Sequence, residues 1–415
     1  MSQRIERPRG THDVVTSETP LWRLVTGEVE RLCALYGYRE ILTPVFEDTA
    51  LFVRTSGMGS DVVQKEMYTF EDRSGRSLTL RPDATAPICR AYVENGLHRG
   101  PQPQKLYTLA SIYRYSAPQQ GRYREHWQAS VEAIGSDDPA IDAELIQLYD
   151  TLLRRLGVRE YRLDLNSIGC RECRPAYLNR LHVWLASNLD RLDDQTREKA
   201  ASSPLRVFDN FDAKPASVQE ALHEAPRIGE SLCDACVDHF AAVRAGLDSV
   251  GVRYEIVPTL VRGLDYYTRT TWQFDGPALG AQSVLSGGGR YDGLVEEIGG
   301  PPTPGVGFGA GIERLLLALE EAGVRAERAT IDVFFAVEHG APRERVLHWL
   351  TELRSRGVAG DTDYAGRSLR GQLTQATRLG AATTVIVRAD DALIRRAGAA
   401  DEALAHDAIL ARLSG

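Results

Sequence analysis

The chain of 415 residues contains no run of about 18 uncharged apolar residues, so nothing in it reads as a membrane-spanning helix. Its opening, Met1-Ser-Gln-Arg-Ile-Glu-Arg7, lacks the apolar core that a signal peptide needs, and a cytoplasmic protein is expected. Basic excess is missing too: 49 Lys and Arg stand against 57 Asp and Glu, a net charge of −8. With a pI near 5.7, a cationic surface spread over the whole molecule is excluded. A nucleic-acid partner would need a local basic patch. No internal repeat is present. Only six cysteines occur, and in a reducing compartment they are not expected to form structural disulfides.

What is there suits an ordinary globular chain: 43% hydrophobic residues, and length enough for two or three domains. Thr19-Pro20 opens an amphipathic helix, with Leu21, Leu24, Val25, Leu32 and Leu35 at helical spacing until Gly37. Tyr38 to Phe46 reads as extended, and Pro44 suits a sheet edge or a subunit seam. Residues 105–135 read as a long antiparallel hairpin turning at Ser116-Ala-Pro-Gln-Gln-Gly121. Asp138-Pro139 starts a helix carrying Ile141, Leu145, Leu148, Leu152 and Leu156, stopped by Gly157. Residues 166 to about 250 change to charged, helix-like stretches and suggest an inserted module, after which Val252 to Val257 resumes the core. Glu320 to Arg328 reads as a polar linker. Beyond it, Ile331–Val337, Pro342–Arg356, Arg367–Leu379 and Thr383–Val387 alternate as strand, helix, helix, strand, as in an open α/β sheet. Asp391 to Gly415 shows no evident strand.

Several clusters carry chemistry. Arg114 ends an apolar strand and Arg122 and Arg124 flank Tyr123 past the turn, so three guanidinium groups could converge on one anion, or sit solvated on the hairpin. Period two places Gln128, Ser130 and Glu132 on one face, alternating with Trp127, Ala129 and Val131, which read as core-directed. An inward carboxylate needs a partner, either a ligand ammonium or a structural cation. Leu260 to Thr268 gathers Arg262, Asp265, Tyr266 and Tyr267, where the segment alone supports core tyrosines. The cluster Gly287-Gly-Gly-Arg-Tyr-Asp-Gly293 permits close backbone approach. In Gly305 to Leu317 a Glu313-Arg314 pair interrupts what reads as a buried helix, which turns Arg314 toward a polar cleft. Cys170-x-x-Cys173 and Cys233-x-x-Cys236 have the local spacing of a four-thiolate zinc site, but the roughly sixty residues between them exceed the usual separation, which leaves buried thiols as the alternative.

These motifs, in this order, resemble the histidyl-tRNA synthetases over nearly the whole chain. Arg9-Gly-Thr-His-Asp13 and Thr43 to Phe70 are similar to the N-terminal segment and motif 1, which implies a homodimer. Tyr113 to Arg124 resembles motif 2, Gly305 to Arg314 motif 3, and Leu260 to Thr270 the stretch that marks this family among class II synthetases. Tyr364 to Gln372 resembles part of the anticodon-binding domain. The resemblance implies an α/β (α+β) fold: a class II antiparallel-sheet core over residues 1–322 with a mostly helical insertion at about 168–250, a linker at 323–330, and a C-terminal α/β anticodon-binding-type domain at 331–415.

It implies a histidine–tRNA ligase that uses ATP with Mg²⁺ to activate L-histidine and passes it to the 3′ end of tRNA(His). Carried over by position, Arg114 would hold the α-phosphate and the substrate carboxylate, and Arg122 and Arg314 the outer part of ATP. Asp83-Ala84-Thr85, Gln128 and Glu132 would bind the amino group and orient histidine. Tyr266 and Tyr267 would line the side-chain pocket, offering an aromatic face and a hydroxyl to the imidazole. Arg262, with Arg114, would be catalytic, stabilising charge at the α-phosphate. The chain departs from the common bacterial pattern at Asp83-Ala84, where Glu-Gly is usual, at Ser116 for Glu, and at His126-Trp127 for Phe-His. The rival reading is a non-catalytic paralogue such as the regulatory subunit of ATP phosphoribosyltransferase, which usually lacks the C-terminal domain and erodes the arginines. A tRNA-binding module without activity is a further alternative.

Overall fold

A computed structural model describes residues 4–57, 62–118, 121–209, 211–276, 284–327 and 330–413. Gln119 and Gln120 of the expected hairpin turn, residues 328 and 329 of the expected linker, and the last two residues lie outside them. The chain divides into two compact units, Met1–Ala326 and Glu327–Gly415. Among the described residues no helix is long and apolar enough to cross a membrane.

The first unit is built on an eight-stranded sheet. In spatial order its strands are Arg39–Glu40, Gln104–Tyr113, Glu125–Ile134, Gly305–Gly311, Val284–Arg290, Thr268–Asp275, Arg162–Ser167 and Glu255–Ile256. The two outermost pairs are parallel and every inner pair is antiparallel. Alternation decides which side is packed: Tyr107, Ala129, Val131, Trp272, Phe274 and Phe308 point to one face and join the core made with helices Thr19–Leu35, Pro139–Leu156 and Ile312–Glu321. The other face carries the shorter helix Thr85–Glu94 and a smaller apolar cluster around Ile88, Tyr92 and Tyr291. A small antiparallel sheet, Phe46–Asp48, Ser77–Leu80 and Tyr68–Glu71, completes the unit.

The long elements form where period and caps agree. Helix Pro139–Leu156 starts with the Asp138 carboxylate accepting from Ala140 N at 2.9 Å and stops at a left-handed Gly157. Helix Thr19–Leu35 buries Val25, Val29, Leu32 and Cys33, whereas Leu24 and Leu35 are exposed; its apolar stripe is rotated from the one the leucines suggest. The inserted module has its own core of Tyr177, Leu181, Leu185, Val207, Phe208 and Leu222. Its last helix, Asp234–Ser249, returns to the main body, where Val243 and Leu247 join the principal core. There a fully buried network forms: Asp142 accepts from Arg290 at 2.8 Å and meets His239 Nε2 at 2.9 Å, tying a strand, a core helix and the insertion's final helix together.

Val252 rejoins the principal core, and Glu255–Ile256 is the strand of that stretch. Two expectations are corrected. Gly305–Gly311 is a strand rather than the start of a buried helix; the helix begins at Ile312, so Glu313 and Arg314 sit in its first turn instead of interrupting it. Val306, Phe308 and Ala310 alternate into the core at period two, so the strand signal was present; the intervening glycines, weak strand formers, masked it. Glu320 and Glu321, read as linker, still belong to that helix.

The second unit is a five-stranded sheet in the order Gly360–Thr362, Val333–Val337, Thr383–Val387, Asp391–Arg396, Glu402–Ala405. The first three strands are parallel and the last two antiparallel. Helix Arg343–Ser355 covers one face, with Trp349 stacked 5.6 Å from Phe335, and helix Leu369–Arg378 covers the other through Ala376. The strands at Asp391–Arg396 and Glu402–Ala405 correct the expectation that this stretch holds none. Ala392 and Ile394 do alternate inward, but Asp391, Arg395 and Arg396 at the ends disguise so short a pattern.

Candidate active site

The open face of the large sheet is shaped by glycine. On Gly305–Gly311 a Cβ at Gly307 would collide with the Glu132 carboxylate, and one at Gly309 would lie 2.6 Å from Gln128 Nε2. On the next strand a Cβ at Gly287 would run into the Arg262 guanidinium. The missing side chains leave a trough into which polar groups from neighbouring elements lean.

At one end of the trough sits Glu132, completely buried. Its partners are neutral hydroxyls: Thr85 Oγ1 donates to Oε1 at 2.7 Å and Tyr291 OH to Oε2 at 2.6 Å. Burial first, then the nearby Asp83, raises its carboxyl to about 8. Asp83 is also buried and pushed up by burial; Oδ1 accepts from Ala86 N at 3.1 Å, while Oδ2 has no hydrogen-bond partner among the described residues. Ala84, fully buried, sets this carboxylate at the start of helix Thr85–Glu94. Among the described residues neither buried carboxyl has a cation in hydrogen-bonding contact, although the Arg114 charge acts on Asp83 from beside Pro82, and a ligand ammonium would complete the site. Gln128, on the same strand face, donates to Ser130 Oγ at 2.8 Å. Tyr266 and Tyr267 wall the pocket, with ring centroids 4.7 Å apart and Tyr291 at 6.0 Å from Tyr266. Burial keeps the phenol of each protonated, so all three can donate.

Toward the other end the guanidinium groups gather. Arg314 is pulled down to about 10, by burial and then by Arg122, Arg114 and Arg262, which places four arginines in one electrostatic neighbourhood. Each is aimed by a neutral or anionic neighbour: Arg114 Nε donates to Pro82 O at 2.7 Å, Arg314 Nη1 to Val284 O at 2.6 Å, Arg262 Nη1 to Gln273 Oε1 at 2.5 Å, and Arg122 pairs with Glu66 at 3.2 Å. Such an array is costly to assemble without an anion to receive it. Arg124 is not part of it: its guanidinium lies 3.8 Å over the Tyr115 ring, which corrects the three-arginine convergence expected on the hairpin. Trp127 is corrected as well. It is 39% exposed, and its ring meets Trp22 edge-on at 5.9 Å.

The match with known proteins is then specific. The sequence model of a family described as histidyl-tRNA synthetase fits residues 10–315. A histidine–tRNA ligase of Pelotomaculum thermopropionicum is 45% identical over 92% of this chain and 89% of its own. The chain belongs to the histidyl-tRNA synthetase family. An apo S. aureus histidyl-tRNA synthetase is 33% identical and superposes with a TM-score of 0.83, covering 99% of this chain and all of that one. A Bacillus halodurans chain described as an ATP phosphoribosyltransferase regulatory subunit/histidyl-tRNA synthetase, 24% identical with a TM-score of 0.64 over 88% of this chain and 95% of its own, shares the fold.

Within the histidyl-tRNA synthetase frame, four residues matter that were not singled out for a site role. Tyr291 holds Glu132, and its signal was its place in the glycine cluster. Gln273 aims Arg262 and is itself held by Asp275 at 2.8 Å. Glu313 accepts Trp127 N through both oxygens at 2.9 and 3.1 Å, pinning the hairpin's return strand, and burial raises its carboxyl to about 7. His126 is lowered to about 3 by burial and by Arg114 and Arg314, so its ring is neutral beside the arginines. Elsewhere in the unit, Cys170, Cys173, Cys233 and Cys236 bring their sulfur atoms within 4.8 Å of one another. The fold closes the sixty-residue gap because the module leaves and re-enters the main body at one place.

Proposed function

We propose that this protein is a histidine–tRNA ligase, activating L-histidine with ATP and transferring it to the 3′ end of tRNA(His). The observation that carries the reading is the division of one trough into an anionic end and a cationic end. Glu132 and Asp83 suit the ammonium of an amino acid; Arg114, Arg122, Arg262 and Arg314 suit phosphates. In between, the histidine carboxylate attacks the α-phosphorus in line, forming the mixed anhydride and expelling pyrophosphate. Two anions must approach, and Arg114 and Arg262 stand where fixed positive charge lowers that barrier without reorganisation. Mg²⁺ accompanies ATP and supplies further neutralisation of its phosphates. The terminal ribose hydroxyl of tRNA then attacks the carbonyl and AMP leaves.

Gln128 and Thr85 orient the substrate beside Glu132, and Tyr266 and Tyr267 take the imidazole between aromatic faces and hydroxyl donors. Arg122 and Arg314 receive the outer phosphates. The C-terminal unit is the part we assign to the anticodon, and a second copy of the chain is assigned to the exposed apolar stretch Leu42, Val45, Phe46 and Phe70. The arginine tetrad speaks against a regulatory histidine-binding paralogue, whose fold is shared but which has no phosphate to hold. Charging of tRNA(His) with labelled histidine tests the assignment. Acceptance of histidine alone among the amino acids is expected; a folded chain that binds histidine yet charges no tRNA would overturn it in favour of the paralogue.

For the four cysteines we propose structural zinc. Adjacent sulfurs are 3.7 Å apart for Cys170–Cys173 and Cys170–Cys233, and 3.9 Å for Cys173–Cys236. A tetrahedron with Zn–S bonds of about 2.3 Å has edges of about 3.8 Å. Amide N–H groups point at the sulfurs, Cys170 N at Cys173 Sγ (3.1 Å) and Glu172 N at Cys170 Sγ (3.4 Å), which is how a thiolate's remaining lone pairs are satisfied.

A further inference from the structure

The cysteine cluster lies directly behind the wall of the amino-acid pocket. Strand Arg162–Ser167 runs antiparallel to Thr268–Asp275, and the pairing continues past its end: Ile168 N donates to Arg269 O and Arg269 N to Gly169 O, both at 2.8 Å. Cys170 follows at once. Arg269 is held there in the left-handed region at φ 49°, a conformation a non-glycine residue keeps only when its surroundings fix it. Gly169 has no room for a Cβ, which would lie 2.7 Å from Cys173 Sγ. The peptide that carries Tyr266 and Tyr267 is thus laced to the peptide that carries the first cysteine pair.

A second tie is made by a side chain. Cys173 is the N-terminal cap of helix Arg174–Asn188, and Arg174 N donates to Cys170 O at 3.1 Å, closing the knuckle. The guanidinium of Arg174 reaches the pocket wall: its Nη2 donates to Tyr267 O at 2.6 Å and lies 3.5 Å from Ile168 O. Across the cluster, Cys233 caps helix Asp234–Ser249, which is anchored in the main core through His239 and Asp142. A metal bridging the two pairs would join a rigid helix of the main body to the helix that bears Arg174.

We infer that the tetrathiolate metal site is a positioning device for amino-acid recognition, acting through Arg174 on the backbone of Tyr267. The inference rests on the zinc and histidine readings above. Arg174 touches neither substrate nor metal. It holds the carbonyl of a pocket-wall residue, and the bridged cysteines hold Arg174. Loss of the metal frees the helix start, lets the Tyr266–Tyr267 peptide shift, and weakens histidine binding, while Arg114, Arg122 and Arg314, carried by other elements, keep their grip on ATP.

The test measures zinc content, histidine affinity by calorimetry, and the KM values for histidine and ATP in pyrophosphate exchange, for wild type, Arg174→Gln and Arg174→Lys. Zinc at one per chain is expected in all three, with tetrahedral cobalt bands after exchange into Co²⁺. Arg174→Gln is expected to weaken histidine binding on the order of 10-fold with ATP KM unchanged, and Arg174→Lys, which keeps one donor for the carbonyl, to recover most of it. Stripping zinc with a chelator is expected to weaken histidine binding in wild type, reversibly, and to add little in Arg174→Gln, because both changes break one linkage. Full zinc with wild-type histidine affinity in Arg174→Gln overturns the inference and leaves the zinc reading standing. Additive losses from the two changes also overturn it. Absence of zinc from the purified wild type, with no cobalt spectrum, overturns both the zinc reading and the inference. Calorimetric binding of histidine without exchange would overturn the ligase reading alone.

Discussion

Glu132 shows what a single residue's surroundings can impose. Its carboxyl, raised to about 8, is mostly protonated at neutral pH in the free protein, and a bound ammonium favours the ionised form. Binding therefore releases a proton. Because the folded-state value lies above that of an unfolded glutamate, burial of this group costs stability as pH rises from about 4.5 toward 8. Histidine affinity runs the opposite way: it is expected to tighten with pH through neutrality, at up to about tenfold per unit from this group, and to level off above about 8. In Glu132→Gln that component should vanish, leaving the titrations of free histidine and of Asp83. A wild-type affinity whose pH profile matches that of Glu132→Gln would show that Glu132 is already ionised. The inward carboxylate was legible in the sequence, since period two places it among core positions; Thr85 came only through the family resemblance, and Tyr291, brought to it by the fold from a distant segment, was not singled out.

At the scale of elements, the glycine strands decide whether a trough exists. Gly307→Ala would drive a methyl into the Glu132 carboxylate and to 2.7 Å from Val131 O, in a sheet with no slack. A loss of about 1–3 kcal/mol in unfolding free energy is expected from overpacking, with histidine binding lost more severely than ATP binding. Denaturant unfolding and paired KM measurements check both; an alanine that leaves both unchanged would mean the trough is not set by this strand. Elements with strong periodicity were readable beforehand, among them the hairpin and the helix ended by Gly157. The strand Gly305–Gly311 was legible in the alternation of Val306, Phe308 and Ala310, but the glycines between them drew the reading toward a helix entry; pairing with the strand that holds Gln128 and Glu132 settles it. Asp391–Arg396 was obscured by charges at its ends.

For the whole molecule, two units with separate cores suggest a division of labour. A chain ended at Ala326 is expected to keep histidine-dependent pyrophosphate exchange and to lose most tRNA charging, as read by the two assays side by side. Equal charging by the shortened chain would remove the anticodon role assigned to Glu327–Gly415. Assembly is open to the same kind of check: with Leu42 76% exposed beside Val45, Phe46 and Phe70, a dimer is expected in sedimentation equilibrium, and Phe46→Glu should shift it toward monomer. Neither arrangement is written in composition; a net charge of −8 excludes a basic coat but says nothing about where a local patch or a subunit seam lies.

The central claim is that one trough holds an amino-acid ammonium at Glu132 and phosphates at four arginines, and joins the two substrates between them. Histidine-dependent exchange of pyrophosphate into ATP, run with wild type and Arg262→Ala, addresses it most directly. Exchange by the wild type that falls about 100- to 1000-fold in Arg262→Ala, with the variant folded, is the predicted result. No exchange in folded wild type, or exchange indifferent to Arg262, would contradict it.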